Sequence, residues 1–181
     1  MWGERPTRTV PAEYPYLKDK SVAIAVWTDL DTQVEFPHAR LELAEHLKAA
    51  MDGSVTGAKF IPIREIVDYQ NRDLDWDRAD PAQMGEELGA DRLVLVELSD
   101  FTTREADSPH LYRGRISANV KVYDTAVANS RPAFRKLVET SFPPEGPAEW
   151  GASDRAVRRG VMEAFATEVA GLFHDRKEEI K

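Results

Sequence analysis

The stretch RLVLVELSDFTTREADSPHLYRGRISANVKVY, residues 92–123, holds the two hydrophobic patterns that decide the fold. It begins with Arg92–Leu98 (RLVLVEL), apolar at almost every position. A strand written this way is covered on both faces, as in the centre of a parallel sheet. It ends in a different rhythm. Ile116, Ala118, Val120 and Val122 alternate with Arg115, Ser117, Asn119, Lys121 and Tyr123. Period two with one polar side predicts an antiparallel strand whose other side rests on the core. Both patterns in one chain predict a mixed sheet.

Upstream, Lys20–Thr28 (KSVAIAVWT) repeats the doubly covered pattern and predicts a partner strand parallel to 92–98. After a polar loop, Phe36-Pro37 predicts a helix start, with Ala39, Leu43, Leu47 and Ala50 at helical spacing and Gly53 as the stop. Lys59–Ile63 (KFIPI) predicts a short strand, which Pro62 confines to an edge. Arg64–Tyr69 predicts a brief helix and Asn71–Asp77 a charged loop. Asp80-Pro81-Ala82-Gln83 then starts a helix ending at Gly89.

Downstream, Thr125–Pro132 predicts a turn and Ala133–Phe142 the returning strand. Ser153 and Asp154 cap a last helix with the stripe Val157, Val161, Phe165, Val169, Leu172 and Phe173. The order β-α-β-α-β-β-β-α predicts an α/β fold, a two-layer mixed sheet with helices mainly on one face. Residues 1–19, with Pro6, Pro11 and Pro15, read as an extended Pro-rich tether or an arm lying over the domain. Residues 20–175 form the single α/β domain, and 176–181 a charged tail.

At 181 residues the chain fits one domain. Lys+Arg 24 against Asp+Glu 32 leaves a net charge of −8, without the basic footprint that nucleic acid or an anionic membrane surface requires. No apolar run reaches the roughly 18 residues of a membrane-spanning helix. With no cysteine there is no disulfide, thiolate zinc site or cysteine nucleophile. The N-terminus shows neither the basic start nor the apolar run of a signal peptide. Two readings stand: a cytosolic protein, or one whose export segment was removed, with Met1 in place of a processed residue such as a lipidated cysteine.

Three stretches in order carry a family resemblance. SVAIAVWTDL runs into FPHARLELAEHLKAAM; LGADRLVLVEL joins a helix end to a buried strand; YRGRISANVKVYDTAVANSRPAFRK is a strand, a turn and a return. Together, over roughly residues 20–173, they resemble the bacterial envelope domains grouped around CsgG, the N-terminal domain of TolB, and lipoproteins such as LpoB and PelC. The resemblance implies a non-enzymatic protein-binding or scaffolding domain of the cell envelope. It would be periplasmic, anchored at the outer membrane by an N-terminal lipid, with a role in secretion or envelope assembly. Its partner would be an envelope protein, with self-assembly as a homo-oligomer a further option. The long inserts that build membrane hairpins in curli exporters have no counterpart here. In the family the Gly-Ala-Asp junction is structural, so no catalytic residue carries over and no cofactor is implied.

The best enzymatic alternative is a carboxylate group at strand ends. Asp29 and Asp31 follow the first strand, and Glu97 and Asp100 end the third. Converging, they would suit Mg²⁺ and phosphoryl chemistry, with Asp29 as nucleophile and Asp31 as acid/base of a cytosolic phosphatase. The start also resembles the Asp-x-Asp of haloacid-dehalogenase-type phosphatases, but Thr32 comes one place too early; the ordinary reading is a solvated acidic rim. The four histidines lack metal-ligand spacing, and neither a nucleophile elbow nor a Gly-rich phosphate loop is present. Trp76 and Trp150 lie in loop-like segments, where a large aromatic either folds back on its own domain or anchors a partner. Trp2, Tyr14 and Tyr16 stand in the arm, and Tyr112 and Arg113 come just before the alternating strand. Trp76, Tyr112, Arg113 and Trp150 are the candidate partner contacts. Arg113, Arg115, Lys121 and Arg135 make a local basic strip, either a solvated sheet face or a surface for an acidic partner.

Overall fold

In the computed structural model, β2 (Ser21–Trp27) lies parallel to β4 (Arg92–Glu105), from Val22 opposite Arg92 to Trp27 opposite Glu97. The structure describes residues 5–128, 131–145, 149–150 (backbone only) and 153–180. Val22–Val26 and Leu93–Val96 are buried, which is why these segments are apolar at successive positions. β4 turns back antiparallel into β5 (Ser108–Asp124), and β5 pairs with β6 (Phe134–Phe142). The two-residue β3 (Lys59–Phe60) is the parallel edge beside β2, ending just before Pro62. The sheet order is β3-β2-β4-β5-β6, with β7 (Glu149–Trp150) also on β5. β4 and β5 are longer than their hydrophobic patterns predict. Past Glu97 they continue beyond the end of β2 as a projecting hairpin, with register shifts after Leu98 and Thr102.

Two long helices cover one face. α2 (Ala39–Asp52) presents Leu43, Leu47 and Met51, and α5 (Asp154–Ala170) presents Val161, Phe165 and Val169. Each of these α5 residues is fully buried and contributes about 1.5–3 kcal/mol by transfer from water. Ser153 caps α5 by accepting the Ala156 N–H at 3.1 Å. Gly114 of β5 lets α5 approach closely: a Cβ there would lie 2.6 Å from Val161 Cβ. α4 (Pro81–Glu87), capped by Asp80, packs at Gly85 against Leu93, on the opposite face. The early helices therefore do not all share a side as expected. The chain leaves β2 for β3 in one direction and then crosses back over to β4, so right-handed crossovers put α2 and α4 on opposite faces.

The Gly-Ala-Asp junction is structural. Gly89 takes φ +75°, and the Asp91 carboxylate accepts the Ser21 N–H at 3.0 Å, tying the start of β4 to that of β2. Other segments differ from expectation. The polar loop after β2 is a helix, α1 (Leu30–Glu35), and α2 begins at Ala39 rather than Phe36-Pro37. Phe36 sits at φ −128°, ψ 75°, because the residue before a proline is driven out of the helical region. α3 (Ile63–Arg72) is longer than expected, and the charged loop contains a 3₁₀ turn, Trp76–Arg78.

The chain ends pair. β1 (Thr7–Val10) and β8 (Arg176–Glu179) form an antiparallel ribbon, with Arg5 and Glu179 at 3.0 Å. Where the sequence predicts a solvated tail from 176, Arg176–Glu179 are strand. The arm lies over the domain: Tyr14 and Leu17 are buried, and the Tyr14 N–H donates to the Leu172 carbonyl at 2.9 Å. Trp2 lies outside the described residues. Among the described residues, no helix is long and apolar enough to cross a membrane.

Candidate functional site

The carboxyl end of β2, where the crossovers depart to opposite faces, is where open α/β sheets place ligands. Two segments bracket it. On one side Asp29 caps α1, its carboxylate accepting the Thr32 N–H at 2.8 Å, and Gln33 Nε2 donates to the Thr28 carbonyl at 3.0 Å. Thr32 holds the Asp29 carboxyl below its ordinary value. On the other side, buried Gln70 of α3 donates to the Val26 carbonyl at 3.1 Å, and Trp27 Nε1 donates to Asp77 at 2.9 Å. Strand end, α3 and 3₁₀ turn are thereby locked together.

A cleft of about 280 Å³ opens here, lined by Trp27, Trp76, Asp77, Pro81, Leu95 and Glu97. Strand parity explains the lining. Trp27 and Glu97 are register partners on the sheet face opposite α2 and α5, and Leu95 lies two residues before Glu97. Glu97 also binds Lys121 of β5 at 2.8 Å. Burial, and then the charges of Glu97 and Asp80, push the Tyr123 hydroxyl up, with Arg135 opposing. A larger depression of about 660 Å³ between α3 and α4 is lined mainly by polar groups, Glu65, Asp68, Asn71 and Glu87 among them.

α1 buries none of its six residues. Leu30 is 73% exposed and Val34 74%, one turn apart, and Leu74 in the loop before Trp76 is 85% exposed. Large apolar side chains this exposed, grouped at one end of a domain, are the usual sign of a surface that meets something.

Trp76 is buried at 7% exposure and is one of the residues lining the cleft. Tyr112 and Arg113 are elsewhere. Tyr112 pairs with Arg104, seven residues beyond Glu97, which puts it roughly 20 Å away along the hairpin. The Arg104 guanidinium lies 5.5 Å from the Tyr112 ring centre. Arg113 binds Glu105 at 2.6 Å and the Pro143 carbonyl at 3.1 Å, holding the hairpin to the following turn. The backbone of Trp150 pairs with Leu111 in β7; its side chain lies outside the described residues. The candidate contacts are thus split between two places. Three members of the basic strip have carboxylate partners: Arg113 and Arg115 share Glu105, and Lys121 takes Glu97.

The phosphatase alternative needs Asp29, Asp31, Glu97 and Asp100 together. Asp29 caps α1 beyond the strand end, and Glu97 pairs with Lys121 on the sheet face. Among the described residues, no three acidic or histidine side chains are grouped to hold a metal. Sequence reading also missed two parts of the site. The exposed pair on α1 carries a signal in hindsight, a capping Asp29 followed by Leu30 and Val34 at helical spacing. The cleft carries none, because β4 supplies Leu95 and Glu97 from far along the chain.

No family model matches the chain, and no curated protein matches it in sequence. In fold it is similar to PelC from Paraburkholderia phytofirmans, solved as a dodecamer. The two are 9% identical, 93% of this chain and 98% of that one are covered, and the TM-score is 0.53. It is also similar to lipoprotein GNA1162 from Neisseria meningitidis, at 12% identity, with 83% and 98% covered and a TM-score of 0.50. At these identities the likeness is one of fold.

Proposed function

We propose that this chain is a non-enzymatic protein-binding or scaffolding domain of the bacterial cell envelope, the periplasmic part of a lipoprotein that serves secretion or envelope assembly. The observation that carries the reading is α1, a helix with no fully buried residue that holds Leu30 and Val34 out in water. A docked partner would bury this surface and recover the transfer energy that the isolated domain forgoes. The envelope address draws support from the fold shared with PelC and with a Neisseria lipoprotein. Kinship with the CsgG and TolB domains rests on the sequence stretches alone. Because the PelC neighbour is a dodecamer, a second copy of this chain is one candidate for the partner.

Two measurements test the proposal. The intact mass of the native protein, taken separately from membrane and soluble fractions, reads the address. A membrane-bound form with an acylated cysteine ahead of Trp2 supports it; an unprocessed soluble chain overturns the envelope part. Magnesium-dependent hydrolysis of an aryl phosphate reads the chemistry. Turnover abolished by Asp29→Asn would overturn the non-enzymatic part.

A further inference from the structure

We propose that the Trp27–Trp76 cleft binds the cationic head of one lysine or arginine side chain, presented by a partner polypeptide. The chemistry stands on the cleft itself, while the source of the side chain rests on the protein-binding reading above. Two indoles and two carboxylates, Asp77 and Glu97, line one cavity with Pro81 and Leu95. Indole is the best aromatic face for a cation, and a carboxylate beside it adds a charge-assisted hydrogen bond. The same set disfavours an anion and gives a neutral aliphatic chain no ionic partner.

Size selects a side chain over a cofactor. About 280 Å³ lies just below the usual range of small-molecule sites, roughly 300–1,000 Å³, yet admits a butylammonium or a propylguanidinium. Charge agrees. The loop before α4 carries Asp73, Asp75, Asp77 and Asp80, and its Arg78 pairs with Asp75 at 3.3 Å. A carboxylate accepts at both oxygens, so Asp77 can hold Trp27 Nε1 and still meet a cation. The molecule supplies its own precedent: Lys121 places an ammonium 2.8 Å from Glu97. Lys121 is then an internal competitor at the rim, and removing it frees Glu97 for the incoming group.

The test uses the indole N–H resonances of the full chain, with Trp27 and Trp76 assigned through their Trp→Phe variants. The chain is titrated with N-acetyl-arginine amide and N-acetyl-lysine amide, and with N-acetyl-norleucine amide as the uncharged control. Both cations should shift Trp27 and Trp76 saturably and the control should not. Asp77→Asn keeps an acceptor for the Trp27 indole, and Glu97→Gln keeps the shape of the rim. Each should weaken binding about tenfold, whereas Lys121→Gln should strengthen it severalfold. Absence of saturable shifts with either cation, an equal response to norleucine, or binding unchanged in both carboxylate variants would overturn the proposal. Failure of the envelope address is read separately, on intact mass, and leaves this titration untouched.

Discussion

Thr28 follows Trp27 directly, is 2% exposed, and its Oγ1 has no hydrogen-bond partner. A buried hydroxyl left unpaired costs about 1–3 kcal/mol. Thr28→Val should therefore stabilise the chain by about 1 kcal/mol and raise the thermal midpoint by about 2–4 °C. A lowered midpoint would show that the hydroxyl has a role. Asp91 gives a pH test. Hydrogen bonds from Ser21 hold its carboxyl below the ordinary 3.8, so it binds its proton less readily folded than unfolded. Its stabilisation is complete above that value and is lost as pH falls through the lower, folded one. In urea titrations the native chain should exceed Asp91→Asn at neutral pH, and the gap should close in strong acid. A gap independent of pH would refute this account.

At the scale of elements, close packing makes its own predictions. Gly114→Ala sets a methyl against Val161 and, at 3.2 Å, the backbone carbonyl of Val157. Urea unfolding should show a loss of about 1–3 kcal/mol. The arm divides sharply at Tyr14, whose ring packs on Phe134 and Phe173, with centroids at 5.4 and 6.3 Å. Tyr14→Ala should cost about 3 kcal/mol, while deleting residues 1–10 should cost less than about 1 kcal/mol, because an isolated two-stranded ribbon is marginal. The same contrast shows what could be read from sequence. β2, β4 and β5 were legible because burial on both faces or on one writes itself as continuous or alternating apolarity. β1 and β8, TRTV and RKEE, show no such face, and their pairing is set by chain ends about 170 residues apart. α1 is hard to read because its signal is short, a capping Asp29 and one apolar pair within six residues, none of them fully buried. Trp76 stands out in sequence as a large aromatic in a loop-like segment, but its burial depends on β4, β2 and Pro81 meeting around it.

For the molecule as a whole, the exposed pair on α1 is the feature most open to change without loss of fold. Leu30→Asp combined with Val34→Asp should leave the thermal midpoint within about 1 °C, since surface substitutions rarely exceed 0.5 kcal/mol. It should abolish partner binding or self-association, read by sedimentation velocity. A large drop in stability would mean that α1 is packed, and would remove the basis for the docking surface. The ribbon has a consequence of another kind, mechanical. A chain anchored through its N-terminus transmits load into the domain at Pro6, whose carbonyl accepts the Ile180 N–H at 2.9 Å. Pulling peels that bond and then the four ladder pairs, paying out roughly 30 Å of chain from residues 5–13 before the force reaches Tyr14. In a chain so anchored, the arm would yield before the core is loaded.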